Sequence, residues 1–175
     1  MNYIINQIDD HEYYYDLFIK NLKHVSEDQF TEVWKNCNSK SINNLKKNKI
    51  IQIALKEFIY YSNFKNVLDI FFGKNITIKS YQGWINRYAN GEFQECHSHL
   101  DKDRDNTNLY SFVYFLDIPK NSHCFNFCDG AGNNKKYINE KSGDLLIFDN
   151  ALHHSVDKNN SDQYRYTLAG NIEIE

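Results

Sequence analysis

At 175 residues the chain is long enough for one domain with a real core, and its net charge of −3 gives no electrostatic case for a nucleic-acid partner. Aromatic residues make up 15 % of it, with 13 Tyr and 12 Phe, which excludes a disordered chain. No apolar run approaches the ~18 residues of a membrane span, and the first six residues lack the basic and apolar regions of a secretory signal.

Cys37, Cys96, Cys124 and Cys128 form no C-x-x-C pairs. They predict no structural zinc site, and read as reduced thiols in a cytoplasmic protein.

Residues 2–8 alternate loosely and predict an edge strand. Asp9 and Asp10 supply an N-cap for a helix in which Tyr14, Leu17, Phe18 and Leu22 recur at helical spacing. Ser26 and Gln29 fit a capping box ahead of Phe30, Val33 and Trp34, which predicts a second short helix. The Lys- and Asn-rich segment 36–48 reads as a loop. Residues 50–72 are helical, as one helix or as two broken near Ser62-Asn63, and Gly73 ends them. His11, His24 and Tyr13 to Tyr15 in this half read as surface and packing residues of a helical support.

After Gly73 the pattern changes to short β-type runs at 76–81, 83–89, 109–118, 124–128, 144–148 and 164–174. They are separated by Asn-, Asp- and Gly-rich turns, the pattern of a sandwich or barrel. The expected class is α+β, mainly β: one domain over 1–175, with 1–75 as helical support and 76–175 as the β core.

Five of the seven histidines, at 97, 99, 123, 153 and 154, fall in the β half. His97 and His99 are two apart, so on a strand both imidazoles share a face. Of the adjacent pair His153-His154 only one can face inward, and His154, in H-S-V, is the better ligand candidate. Arg165 and Thr167 are again two apart. A guanidinium beside a hydroxyl suits a carboxylate. Three imidazoles with an Arg/Thr pair nearby therefore predict a metal site beside a carboxylate clamp, the arrangement a chelating keto acid would use. Imidazoles alone do not name the metal.

The residues that carry a family likeness are W-I-N-R-Y-A-N-G-E-F-Q-E-C-H-S-H from Trp84, S-F-V-Y-F-L-D-I-P from Ser111, S-G-D-L-L-I-F-D-N-A-L-H-H-S-V from Ser142, and D-Q-Y-R-Y-T-L-A-G-N-I from Asp162. In order and spacing they resemble the Fe(II)/2-oxoglutarate-dependent oxygenases, closest to members from bacteriophages and marine bacteria that carry H-x-H. The likeness covers residues 76–175. It implies a double-stranded β-helix of the jelly-roll or cupin-like type, with the N-terminal helices packed on one sheet.

The likeness further implies Fe(II) held by His97, His99 and His154, with 2-oxoglutarate as cosubstrate. Arg165 and Thr167 match the pair that holds its distal carboxylate, and Asn86 and Tyr88 match an N-x-Y pattern that reaches the same molecule. The usual triad is two His and a carboxylate, so His99 is a departure. His99-Leu100-Asp101 is also an H-x-D, and a shifted register would make the triad His99, Asp101 and His154.

The resemblance implies hydroxylation of a peptide, an amino acid or another small molecule, framed by loops at 101–109 and 129–137. It implies neither a membrane nor a nucleic-acid partner. Two other readings fit the same residues: a cupin-type three-His dioxygenase, and a catalytically silent metal-binding module.

Overall fold

The computed structural model describes residues 2–32, 43–45, 48–100, 107–120, 122 and 124–175. Eleven strands and three helices occur among the described residues. In chain order they are β1 (Tyr3–Gln7), α1 (His11–Leu22), β2 (Thr31–Glu32), β3 (Asn43–Leu45), α2 (Lys49–Tyr61), α3 (Phe64–Phe72), β4 (Ile78–Tyr88), β5 (Gln94–His97), β6 (Leu109–Asp117), β7 (Phe125–Phe127), β8 (Lys136–Tyr137), β9 (Asp144–Asp149), β10 (His154–Val156) and β11 (Arg165–Ile174). Seven strands form one sheet in the order β1-β9-β6-β11-β4-β3-β2, and four form a smaller one in the order β5-β10-β7-β8. All pairs are antiparallel. This is the expected double-stranded β-helix.

Strand alternation assigns each residue of the large sheet to one of two faces. On β6, Phe112, Tyr114 and Leu116 join a core with Phe18, Ile51, Leu55, Phe58 and Phe64 from the helices. Their neighbours Val113 and Phe115 pack with Phe125, Phe127 and Val156 of the small sheet. The helices therefore cover one face of the large sheet and the small sheet covers the other. Gly170 pairs with Gly83 in register. A Cβ on Gly170 would lie 2.3 Å from the Gln82 carbonyl and 2.5 Å from the Phe112 ring, and one on Gly83 would lie 2.9 Å from Leu55. That glycine pair lets α2 and Phe112 close onto the sheet.

The expected edge strand is β1, which pairs with β9 at the rim of the large sheet. The helical segment 50–72 is two helices, broken at Ser62-Asn63 and ended by Gly73 in the left-handed region at φ 66°. The Asn48 side chain caps α2 by accepting from the N–H groups of Ile50 and Ile51.

Other expectations are corrected. Asp10 adopts φ 54° and makes no side-chain cap to α1. The short helix expected after Ser26 is a single 3-10 turn, Glu27–Gln29, followed by β2. Its Val33 and Trp34 lie outside the described residues. Part of the expected loop at 36–48 is β3, which pairs with β4, so pairing overrides a polar, Lys-rich composition. The runs at 76–81 and 83–89 merge into one strand.

Cys96 and Cys128 form a disulfide across 32 residues of sequence, which corrects the expectation of four reduced thiols. The sheet brings together cysteines whose spacing gave no pairing signal, and cysteine usage no longer supports a reducing compartment. Cys124 is free and buried, and Cys37 lies outside the described residues. No described helix is long and apolar enough to cross a membrane.

Candidate active site

The small sheet and the loop that follows β5 bring three histidines together. His97 ends β5 and pairs in register with His154, the first residue of β10, which also faces Phe127 of β7. His99 lies beyond the end of β5, so strict alternation along a strand is not what aims it. Its backbone N–H donates instead to the Asn150 carbonyl at 3.0 Å, outside the ladder. One ring nitrogen from each of the three lies within 4.8 Å of the others, and Nε2 of His97 and Nε2 of His99 stand 3.3 Å apart. Asp101, the alternative carboxylate, and His123 lie outside the described residues. His153 turns away, its ring near Gly130 of the 129–137 loop.

The other ring nitrogens have their own partners. Nδ1 of His97 lies 2.9 Å from the Glu95 carbonyl, and Nδ1 of His154 lies 3.0 Å from the Leu152 carbonyl. A carbonyl oxygen can only accept, so Nδ1 carries the proton in both rings and Nε2 presents a lone pair. Burial, reinforced by the neighbouring imidazoles, suppresses the protonated forms. It lowers His97 to about 4 and takes His154 well below the ordinary value of 6.5. Nε2 of His97 and Nε2 of His99, 3.3 Å apart, share one proton as N–H···N or flank a cation. Nitrogens sharing a metal at ~2.1 Å each sit roughly 3 Å apart at a right angle. The donor set therefore fits a divalent metal.

The large sheet supplies the other end of the same pocket. Along β11, Arg165, Thr167 and Ala169 face inward, paired with Tyr88, Asn86 and Trp84 of β4. All six line one pocket with the three histidines. Asn86 Nδ2 reaches Thr167 Oγ1 at 3.5 Å, and the Tyr88 hydroxyl donates to Gln94 Oε1 at 3.2 Å. Burial raises Tyr88 far above the usual phenol value, so it remains a donor.

Arg165 is fully buried. It donates from one terminal nitrogen to Glu140 Oε1 at 2.8 Å and from the other to the Ser122 carbonyl at 3.3 Å. Its Nε has no hydrogen-bond partner. A buried guanidinium nitrogen without an acceptor, in a pocket with a threonine hydroxyl, fits a ligand carboxylate.

Glu140 was not anticipated from sequence. Its Oε1 also accepts from the N–H groups of Cys124 and Phe125, at 2.9 Å each, and the side chain is completely buried. Nothing in its local sequence, K-Y-I-N-E-K-S, marks it out. Ser111, Asn150 and Asn171, which surround His99, were missed too. Asn171 does share the parity of Arg165 and Thr167 on one strand, and that alternation was a usable signal.

The profile of the 2OG-Fe(II) oxygenase superfamily matches residues 83–173, which hold all these pocket residues. The match does not single out the phage and marine-bacterial branch. No curated protein sequence matches the chain. Among solved structures, a Pseudomonas putida prolyl-4-hydroxylase is 12 % identical, with a TM-score of 0.70 over 98 % of this chain and 92 % of that one. HygX from Streptomyces hygroscopicus, solved with nickel and 2-oxoglutarate bound, is 12 % identical, with a TM-score of 0.63 over 98 % and 82 %. A Trichoplax adhaerens prolyl hydroxylase, in complex with a hypoxia inducible factor peptide fragment, is 13 % identical, with a TM-score of 0.66 over 98 % and 83 %. At these identities the structures speak for the fold, and the profile match speaks for the lineage. The chain belongs to the 2OG-Fe(II) oxygenase superfamily, and is an oxidoreductase with Fe(II) as its metal and 2-oxoglutarate as its cosubstrate.

Proposed function

We propose that this enzyme hydroxylates a peptide, an amino acid or another small molecule, acting as one domain in which residues 1–75 supply the helical support and also three rim strands of the large sheet. His97, His99 and His154 hold Fe(II), and Arg165, Thr167, Tyr88 and Asn86 hold 2-oxoglutarate. The observation that carries this reading is the facing pair of Nε2 atoms, 3.3 Å apart between His97 and His99. It is joined in one pocket to a buried arginine whose Nε lacks an acceptor.

Each side chain then has a task. Burial keeps His97 and His154 neutral at physiological pH, so no proton competes with the metal for them. The Arg165 Nε–H and the Thr167 hydroxyl receive the distal carboxylate of the cosubstrate, and the Glu140 pairing fixes the plane of the guanidinium in advance. Tyr88 stays protonated and offers a hydroxyl rather than a charge. Val113, Phe125 and Val156 line the pocket with apolar surface and limit water. Fe(II) held by the three histidines would supply activation of O₂, which oxidises 2-oxoglutarate to succinate and CO₂ and places its second oxygen atom on the substrate.

Two of the structural relatives are prolyl hydroxylases, one of them bound to a peptide, so peptides belong in the substrate screen. The test is anaerobic loading with Fe(II), then succinate release from 2-oxoglutarate across panels of peptides, amino acids and nucleotides. Stimulated release with one panel is expected. Metal binding without any 2-oxoglutarate binding would instead favour the three-His cupin-type reading. Binding of both without turnover would favour the silent module. Thr167→Val should weaken 2-oxoglutarate binding by roughly 10-fold, and Arg165→Ala by more. Unchanged affinity in Arg165→Ala would remove the clamp assignment.

A further inference from the structure

The histidine in the usual carboxylate position is held differently from the other two. His97 and His154 present Nδ1 to main-chain carbonyls two residues earlier, a contact the local backbone enforces. His99 presents Nδ1 to side chains: Asn171 Oδ1 at 2.8 Å and Ser111 Oγ at 2.9 Å. Ser111 Oγ lies a further 2.6 Å from Asn150 Oδ1 and 3.0 Å from Asn171 Oδ1. Asn171 and Ser111 are register partners on adjacent central strands, β11 and β6, and Asn150 directly follows β9. Asn171 and Ser111 stand on the sheet and Asn150 in the turn at its edge, apart from the loop that carries His99.

Counting protons decides how the group is wired. Asn150 Oδ1 and Asn171 Oδ1 can only accept, and Ser111 has one proton to give. If His99 Nδ1 were bare, its lone pair would face that of Asn171 Oδ1 at 2.8 Å, and the Ser111 proton would have three acceptors to serve. If Nδ1 carries the proton, the 2.8 Å contact to Asn171 and the 2.6 Å contact of Ser111 to Asn150, the two shortest of the group, each hold one proton, and a metal ion between the rings takes the place of a proton at the 3.3 Å contact to His97. Nδ1–H donates to Asn171, Ser111 donates to Asn150, and His99 Nε2 is left bare toward His97.

We infer that Asn171, Ser111 and Asn150 form a positioning relay that locks His99 in its Nδ1–H tautomer, and so make a histidine serviceable where the family usually places a carboxylate. The relay uses a neutral amide as the acceptor. A metal at this site therefore meets three neutral imidazoles, with no negative charge from His99 or its partner. Turning the Asn171 amide over would present Nδ2 to His99 Nδ1, move the ring proton to Nε2 and close that ligand position. Asn171 is thus a positioning residue that sets whether His99 can bind a metal.

The inference rests on the three-histidine reading of the site, and the experiment separates the two. Long-range proton–nitrogen NMR of the histidine rings is recorded on the metal-free wild-type protein, with His99 assigned by the signal lost in His99→Gln. The expected result is a protonated Nδ1 and a bare Nε2. A protonated Nε2 overturns the relay, whatever the metal does. Co(II) titration of the variants supplies the second readout. Asn171→Leu should weaken binding roughly 10- to 100-fold, and Asn171→Asp, which keeps the acceptor and adds a charge, should restore or exceed wild-type affinity. Asn171→Leu binding as tightly as wild type would overturn the relay. Wild-type protein that binds no Co(II) or Fe(II) would defeat the three-histidine reading, and the ring spectrum alone would then decide the tautomer.

Discussion

The two faces of the large sheet follow opposite rules, although the same strands supply both. On β11, Leu168 and Ile172 enter the apolar core under the helices, while Arg165, Thr167 and Asn171 point toward the small sheet. The helix-side face is held by area: aromatic rings stack edge to face around Phe58, and a lost contact there costs what its atoms buried. The inward face has an apolar cluster of its own around Phe115, Phe125 and Phe148, but around Arg165 and His99 it is held by pairing, where buried polar groups depend on specific partners. Stability can therefore be trimmed on the helix side without touching the chemistry, whereas on the inward face the two are coupled.

Glu140 is the sharpest place to break this comparison. Glu140→Leu leaves the Arg165 charge buried beside an apolar group, and should cost about 4 kcal/mol in urea unfolding. Adding Arg165→Met should recover much of that stability while abolishing 2-oxoglutarate binding. If the single variant unfolds like wild type, the inward face does not depend on pairing.

Acid gives the next largest effect. His97 titrates at about 4 in the fold against 6.5 in an unfolded chain. As pH falls the unfolded chain binds this proton first. The metal-free fold therefore loses stability between about 6.5 and about 4, by roughly 3 kcal/mol for this one group, with no loss above that window and no further loss below it. His154 adds to the loss in the same direction. Denaturation of metal-free protein across that range, repeated with His97→Gln, should show a shallower slope in the variant.

On the helix side, Leu168→Ala should cost about 2–3 kcal/mol and leave Co(II) affinity unchanged. Asn48→Ala, which removes only the cap of α2, should cost about 1 kcal/mol and again spare the site. A changed metal affinity in either variant would mean that the faces are coupled through the sheet.

The parts of the molecule readable in the sequence were those with a short period or a tight spacing. The short β-type runs of β6, β9 and β11, bounded by turn residues, and the break at Ser62-Asn63 are local patterns, and the structure has them. His97, His99, His154, Arg165, Thr167, Tyr88 and Asn86 could be named because they recur in a known order, and the fold brings them into one pocket. What escaped depends on partners distant in the chain. Glu140 meets Arg165 across 25 residues, Ser111 meets Asn171 across 60, and β3 exists because β4 offers it an edge. A glutamate in a polar stretch looks solvated until a fold buries it.

The Cys96–Cys128 bridge also reaches beyond local pattern. Cys96 is the residue before His97, on a four-residue strand at the rim of the small sheet that touches its neighbour β10 in only two register pairs. Rim strands of that kind are the first to peel away. The bridge carries this one over the start of β10 to the loop after β7, as a mooring line holds a boat to the far post. Thiol reductants, added by routine to keep iron ferrous, cast that line off. Preparations kept in dithiothreitol and in ascorbate then differ in how firmly the rim holds its histidine, quite apart from how well either reagent protects the metal.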